Sequence, residues 1–351
     1  MKIKGAFRRS LMNQTNGKLR IGVLGAGRVA KDLHLPVLVN ISDVSIAWLC
    51  DKNEPRTREL AKQFKIALVF SEIEKCSDVD IVLVAIPVGY RPPVMKYIFQ
   101  RGWHAFCEKP FALTVTEHVR YLTEAREKKV QVGVGMVRRF GAATLMAKKI
   151  VHEGYFGPIV EVWANEGSRT KRTGQSSDWY MSNPKIAGGG VLMETGSHLV
   201  DQLCSILDVN QFKISRCIQR KLNGLELETE FVGAVSTDRQ SELRCSFTVS
   251  RLKDLCNGIF IRFPNFVLKC GLFFEDPLEI CTLGGSPIAR FDIQEGAKTI
   301  IQGFYLEWKE FIEQCLSGNN SAINAETVQI STALIEQCYK NAEVTNVSDA
   351  L

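Results

Sequence analysis

Glu194, His198 and Asp201 follow three consecutive glycines in AGGGVLMETGSHLVD, residues 187–201. At 100° per residue their side chains fall within about 60° of one another on a helix. Leu192, Gly196, Leu199 and Leu203 take the opposite stripe. The helix is therefore expected to bury its leucines and present an acid, an imidazole and a second acid on one face. An imidazole titrates near pH 6.5, so it could take a proton from a secondary alcohol at neutral pH and return it in reverse. A carboxylate one turn earlier could orient a lysine or the substrate and tune both partners. Taken alone, a Glu-x-x-x-His is more simply a half-buried histidine satisfied by its helix, and Asp201 could equally brace the helix. No metal is expected, since only Glu194 and His198 are well placed and a third ligand is not evident.

A second group lies near the start of the chain. GAGRVA, residues 25–30, closes an apolar strand and opens a helix. Gly25 permits the tight turn, Gly27 lets the backbone approach a pyrophosphate, and Ala30 replaces a third glycine at the helix–strand contact. The N–H groups at the helix start, at Arg28 and Val29, would meet the phosphates. Asp51 ends the second strand, where a carboxylate can accept from an adenine ribose and would repel a 2′-phosphate. That favours NAD, while Lys52 and Arg56 beside it leave NADP open. By itself such a turn often only closes a βα unit, and Asp51 could be a turn residue. A third group, CEKP at residues 107–110, follows the fifth strand at its C-terminal end, where doubly wound folds place ligands. Alone, its Glu-Lys pair reads as a surface ion pair.

These residues need elements to carry them. LRIGVLG, VSIAWLCD, ALVF, DIVLVAIP, WHAFCEKP and VQVGVG read as strands, and EPRTRELAKQF, PPVMKYIFQRG and VTEHVRYLTEAREKK as the helices between them. Near-continuous apolar strands joined by helical crossovers predict a parallel sheet covered on both faces. After about Arg139 the pattern changes to a helix, a strand PIVEVWANEG, and from 212 to 295 a series of strands broken by Asn223-Gly224 and Gly284-Gly285, as in an antiparallel meander. Two helical patterns finish the chain. The fold class is thus α/β: an N-terminal Rossmann doubly wound parallel sheet plus a C-terminal α+β domain with a large, mostly antiparallel open sheet. The expected division is 1–17 as an extension, 18–140 as the dinucleotide-binding domain and 141–351 as the substrate and oligomerisation domain, its last helix returning to the first.

Composition narrows the classes. The chain has 351 residues, enough for two cores, and its net charge of +6 is modest and spread, so nucleic acid is not implied. No apolar run approaches the roughly 18 residues of a membrane span, and the basic start lacks the apolar stretch of a secretory signal. Eleven cysteines without a CxxC pair fit reduced thiols in a cytoplasmic protein, with Cys50, Cys107 and Cys204 as small core residues.

With GAGRVA upstream and GGGVLMETGSH downstream, CEKP resembles the Gfo/Idh/MocA oxidoreductases, the family of glucose–fructose oxidoreductase and inositol dehydrogenase. The resemblance runs through nearly the whole chain after Lys18. It implies an NAD(P)-dependent dehydrogenase or reductase, with Lys109 as the active-site lysine ahead of a cis bond to Pro110, an isomer that X-Pro bonds allow at modest cost. It also implies that Glu108 lies near the nicotinamide ribose, that Pro87 flanks the cofactor and that His198 is the catalytic histidine. Lys109 would stabilise charge developing on the oxygen from which His198 takes a proton, and hydride transfer belongs to the cofactor. Three departures stand out. Glu194 replaces the family's usual aspartate. The TPN..H pattern reads IPVGYR, with Val88 and Arg91 for asparagine and histidine. Val137 replaces the asparagine before RRF.

Arg138, Arg139, Tyr155, Trp163, Glu166, Arg169, Trp179 and Tyr180 are candidates for a substrate wall. Aromatic faces stack on sugar rings, and arginines bind hydroxyls, carboxylates or phosphates. Arg138, Arg169, Trp179 and Tyr180, with Glu194 and His198, are the foremost of them. The set fits a small carbohydrate-like substrate: a sugar, a cyclitol or a nucleotide-linked sugar. Two other classes compete, an NAD-dependent glycosidase using transient oxidation and a dinucleotide-binding, non-catalytic regulator. Retention of Lys109 and His198 argues against the regulator. Phe231, Val235, Phe247 and Phe260 are expected on an exposed sheet face that pairs with a second subunit, giving a homodimer or homotetramer.

Overall fold

Strands without a polar face must be covered on both sides, and this governs the first half of the chain. In the computed structural model β4 (Ile81–Val84) and β5 (His104–Glu108) are buried at every position. They join β1 (Leu19–Leu24), β2 (Val44–Cys50), β3 (Leu68–Phe70) and β6 (Val132–Gly135) in a six-stranded parallel sheet of order β3-β2-β1-β4-β5-β6. That is the order of a dinucleotide-binding Rossmann sheet, with its crevice where the order reverses between β1 and β4. The structure describes residues 17–169, 183–319 and 321–347, so the N-terminal extension before Gly17 lies outside it.

The chain divides into two compact units. The first comprises Met1–Ala112, Thr116–Gly135 and Ile300–Val328. Its crossover helices show local causes. In Glu54–Phe64, Asn53 caps the start by accepting from the Arg56 N–H, Pro55 sits in the first turn, and Lys65 ends the helix in the left-handed region. The helix Ile300–Ser317 comes from far along the chain yet completes this unit's core. Its Trp308 stacks on Phe106 of β5 at 4.4 Å between ring centroids.

The second unit comprises Leu113–Val115, Met136–Thr299 and Gln329–Leu351. Its sheet contains β7 (Glu161–Gly167), β8 (Gln211–Leu222), β9 (Leu225–Ser236), β10 (Leu243–Ser250), β11 (Gly258–Arg262), β12 (Val267–Cys270), β13 (Leu278–Cys281), β14 (Pro287–Arg290) and β15 (Glu343–Asn346). Their order is β14-β13-β12-β11-β7-β10-β9-β8-β15. The sheet is mostly antiparallel, but it is not a single meander. The early strand β7 separates β10 from β11 and runs parallel to β10, and β15 joins β8 in parallel at the edge. Asn223 and Gly224, both at positive φ, turn β8 into β9 as a primed hairpin requires.

One face of this sheet is packed and the other is polar apart from a small cluster of Trp163, Phe260, Val267 and Cys281, and the packed face corrects one expectation. Phe231, Val235 and Phe247 lie in the core with Leu199, Leu203, Leu334 and Ile335. Phe260 alone of the four belongs to the other face, where it stacks on Trp163 at 5.1 Å. The cause is the period of two. Val232, one residue along from Phe231, is the outward side chain and is 48% exposed. Elsewhere on this face, Glu161 pairs with Arg244 and Arg262, and Glu279 with Lys269 and Arg290. All eleven cysteines are free, and only Cys256 is exposed. Among the described residues no helix is long and apolar enough to cross a membrane.

Truncating Phe231 to alanine should therefore cost about 3–5 kcal/mol in denaturant unfolding at every protein concentration, the figure for a buried aromatic. Val232→Asp should change stability by less than about 0.5 kcal/mol. The reverse ranking would place Phe231 outside the core.

Candidate functional site

The glycine turn has the shape that its sequence demands. Gly25 has a φ of 105°, its N–H donates to the Cys50 carbonyl, and a Cβ there would lie 2.4 Å from the Ala85 oxygen. Only glycine fits so close to the chain leaving β4. At Gly27 a Cβ would meet nothing within 4 Å, so the turn opens onto free space beside the helix start at Arg28 and Val29. Asp51 is tied to this turn. Its carboxylate accepts from the Ala26 N–H and the Asn53 N–H, each at 2.8 Å, and from Arg56 at 3.0 Å. Lys52 is exposed and Pro87 half-buried.

At the end of β5, Glu108 is 9% exposed and is not the surface ion pair that its motif alone suggested. Its carboxylate contacts Nε2 of the fully buried His34 at 2.8 Å and accepts the Lys109 backbone N–H at 3.2 Å. Trp308 donates its indole N–H to Nδ1 of His34 at 3.0 Å. An indole can only donate, so Nδ1 is the acceptor and Nε2 carries the proton that goes to Glu108. Burial pushes the Glu108 carboxyl up, but the His34 hydrogen bond and the charges of Lys109 and Arg91 outweigh it and hold it below the ordinary range. The Lys109–Pro110 bond is cis, as the resemblance implies. No motif pointed to His34 or Trp308. His34 ends a π turn, Ala30–His34, and Trp308 lies 274 residues away in sequence.

A carboxyl whose folded pKa is depressed contributes stability above its unfolded value, 4.5, and loses it as pH falls through the lower folded value. The stability difference between wild type and Glu108→Gln should accordingly be constant near neutrality and shrink below about pH 4.5. Urea unfolding at a series of pH values measures it, and a difference that grows on acidification would contradict the depressed pKa.

In the second unit the glycine run is a packing device. The Gly190 and Leu192 N–H groups donate to one oxygen of Glu226, as does the Tyr339 hydroxyl, and a Cβ on Gly190 would come 2.1 Å from the Glu226 carbonyl. The following residues, Leu192–Gly196, form a π turn that leads into the α-helix Ser197–Leu207. The uniform step of 100° per residue does not hold across that turn. Glu194 and His198 remain half-buried, and Glu194 pairs with Arg251 at the end of β10.

Asp201 does not join them. It is 2% exposed and takes a two-pronged ion pair from Arg139 at 2.7 and 2.6 Å, plus the Ser331 hydroxyl at 3.0 Å. Arg138 is likewise engaged, with both guanidinium nitrogens 2.7 Å from Glu166 and the cation over the Phe273 ring. The Arg169 N–H donates to Asp254, Tyr155 is exposed, and Trp163 is occupied by Phe260. Trp179 and Tyr180 lie outside the described residues. Arg251 escaped sequence reasoning because no spacing links it to Glu194. Among the described residues no group of three His, Cys, Asp or Glu side chains is placed to hold a metal.

Because Arg139 and Asp201 are buried together, removing one leaves the other uncompensated. Asp201→Ala should lower unfolding stability by about 3–5 kcal/mol. An effect within about 0.5 kcal/mol would mean that the pair braces nothing.

Residues 19–136 match the oxidoreductase family with an NAD-binding Rossmann fold, GFO_IDH_MocA, and residues 144–256 match the GFO/IDH/MocA C-terminal domain. An uncharacterized oxidoreductase of Schizosaccharomyces pombe is 28% identical over 220 residues, 61% of this chain and 58% of that protein. The D-glucoside 3-dehydrogenase of Escherichia coli is 24% identical over 196 residues, 55% of each. The chain thus spans little more than half the length of these curated relatives. In fold it is similar to a 3-ketoreductase from Actinomadura kijaniata solved with NADP and TDP-benzene, with a TM-score of 0.80 over 94% of this chain and 100% of that one at 15% identity.

Proposed function

The chain belongs to the Gfo/Idh/MocA oxidoreductase family, with its NAD-binding Rossmann domain followed by the family's C-terminal domain, and from that premise we propose that it interconverts a secondary hydroxyl and a ketone on a sugar, a cyclitol or a nucleotide-linked sugar. The observation that carries this reading is Lys109 placed directly after a buried, ionised Glu108 at the C-terminal end of β5. The name of the Escherichia coli relative, a glucoside dehydrogenase, supports a carbohydrate substrate.

Each group then has a task. The free space at Gly27 and the N–H groups at Arg28 and Val29 suit a pyrophosphate. Oδ1 of Asp51 accepts only from Asn53 and keeps a lone pair for a ribose hydroxyl. Arg56 is half-exposed beside it and could turn to a 2′-phosphate, so NAD is the expected cofactor and NADP a second one. Lys52 adds positive charge at that rim, and Pro87 and Glu108 flank the other half of the dinucleotide. When bound, the nicotinamide supplies the hydride acceptor or donor. His198 takes the hydroxyl proton, Lys109 stabilises the oxygen as charge develops, and Glu194, held by Arg251, orients them. Arg169, Trp179 and Tyr180 are the remaining substrate contacts. Arg138 acts by shaping the wall with Glu166 rather than by offering an unpaired charge. A second copy of the chain on the polar sheet face, around Val232 and the Trp163–Phe260 stack, is the oligomer contact.

The test is a panel of sugars, inositols and sugar nucleotides with NAD and NADP, followed by the absorbance of the reduced nicotinamide. His198→Ala and Lys109→Ala should each lower kcat by about 10²–10⁴-fold while NADH affinity stays within about threefold. Unchanged turnover in either variant would remove that residue from the chemistry. Release of an aglycone without net change in the cofactor would favour the glycosidase.

A further inference from the structure

Arg91 is the first residue of the helix Arg91–Gln100, where a long cation would ordinarily reach into water. Instead it is 2% exposed. A buried arginine needs partners for its donors, and every partner here is a backbone carbonyl. Nε and Nη2 donate to the Ile86 oxygen at 3.1 and 3.0 Å. Nη1 donates to the carbonyls of Glu108 at 2.6 Å, Pro110 at 2.5 Å and Phe111 at 3.4 Å.

The choice of carbonyls is specific. Those of Glu108 and Pro110 bracket Lys109, and that of Ile86 immediately precedes Pro87. One side chain therefore ties the segment leaving β4 to the segment leaving β5. The Glu108 carboxylate is fixed separately by His34. A dinucleotide with its pyrophosphate at the turn after β1 and its adenosine at Asp51 beside β2 must send its other half toward β4 and β5, across the point where the strand order reverses.

We propose that Arg91 is a positioning residue for the nicotinamide half of the cofactor, setting the backbone at Pro87 and on both sides of Lys109 through these carbonyls. This rests on the cofactor reading given above. The planar fork matters as well as the charge, since a lysine ammonium offers three donors from one point and cannot span the Ile86 carbonyl and the Glu108–Phe111 segment together.

The test separates the two halves of the ligand in the full-length protein. NADH is titrated by its nicotinamide fluorescence, and ADP, which lacks the nicotinamide and its ribose, by calorimetry, for wild type, Arg91→Lys and Arg91→Gln. Wild type should bind both ligands. Both variants should weaken NADH about tenfold or more and leave ADP within about twofold, a tenfold change being about 1.4 kcal/mol. Equal weakening of both ligands would reduce Arg91 to a general support of the fold, and no change in either would remove it from the cofactor site; each result overturns the proposal. If Arg91→Gln does not fold, the ratio of the two affinities in Arg91→Lys decides. Wild type binding neither ligand would overturn the cofactor reading and this proposal with it, a result distinct from the variant failures.

Discussion

A carboxylate sealed inside a protein persists as an ion only if donors replace the water it has lost. Glu108 is the place where the first unit meets that demand. The proton of His34 and the backbone N–H of Lys109 satisfy it, and Trp308 fixes the tautomer that makes His34 a donor. The aromatic shell of Phe106, Phe304 and Trp308 excludes water from the imidazole. The π turn before Leu35, the C-terminal end of β5 and the helix Ile300–Ser317 all meet at this one chain of hydrogen bonds. Lys109 inherits its backbone position from it.

The second unit uses its charges differently. Arg139 with Asp201 and Arg138 with Glu166 are near-ideal paired forks in poorly exposed surroundings, the geometry in which guanidinium and carboxylate fix one another's orientation. They consume groups that look available on paper. What stays half-buried on the helix after the glycine run is Glu194, already answered by Arg251, and His198. An acid with a resident counter-ion differs from a solitary one, and the extra methylene of glutamate over aspartate lengthens its reach toward that guanidinium.

Much of the fold was legible because it depends on local signals. The strands of the first sheet and the helix EPRTRELAKQF, at Glu54–Phe64, follow from apolar runs, a capping asparagine and a proline in the first turn. The Asn223-Gly224 turn is equally local. The misreadings have physical causes. The face of β9 was assigned with the wrong parity, because Phe231 and its neighbour Val232 are both apolar and only packing distinguishes them. The meander failed because β7 inserts between β10 and β11 from more than 70 residues upstream of either, a pairing that no window detects. β15 is a short, fully exposed edge with no alternation to mark it. At the site, the glycine turn and Asp51 could be read from spacing, whereas His34, Trp308 and Arg251 act across distances in sequence that carry no pattern. Asp201, left open between the chemical face and a brace, is taken by Arg139 and Ser331, partners that no spacing in the sequence links to it.

The path of the backbone has a consequence for biosynthesis. The helix bearing Phe304, Trp308 and Phe311 is made after strands β7 to β14 of the second unit, yet it closes the core of the first. A nascent chain with only its first 135 residues outside the ribosome exposes Phe106 and His34 to water, and Glu108 lacks a neighbour whose tautomer is set. The core of the first unit is therefore not completed in order of translation. Strands β7 to β14 are synthesised in between, an interval in which chaperones would find their substrate.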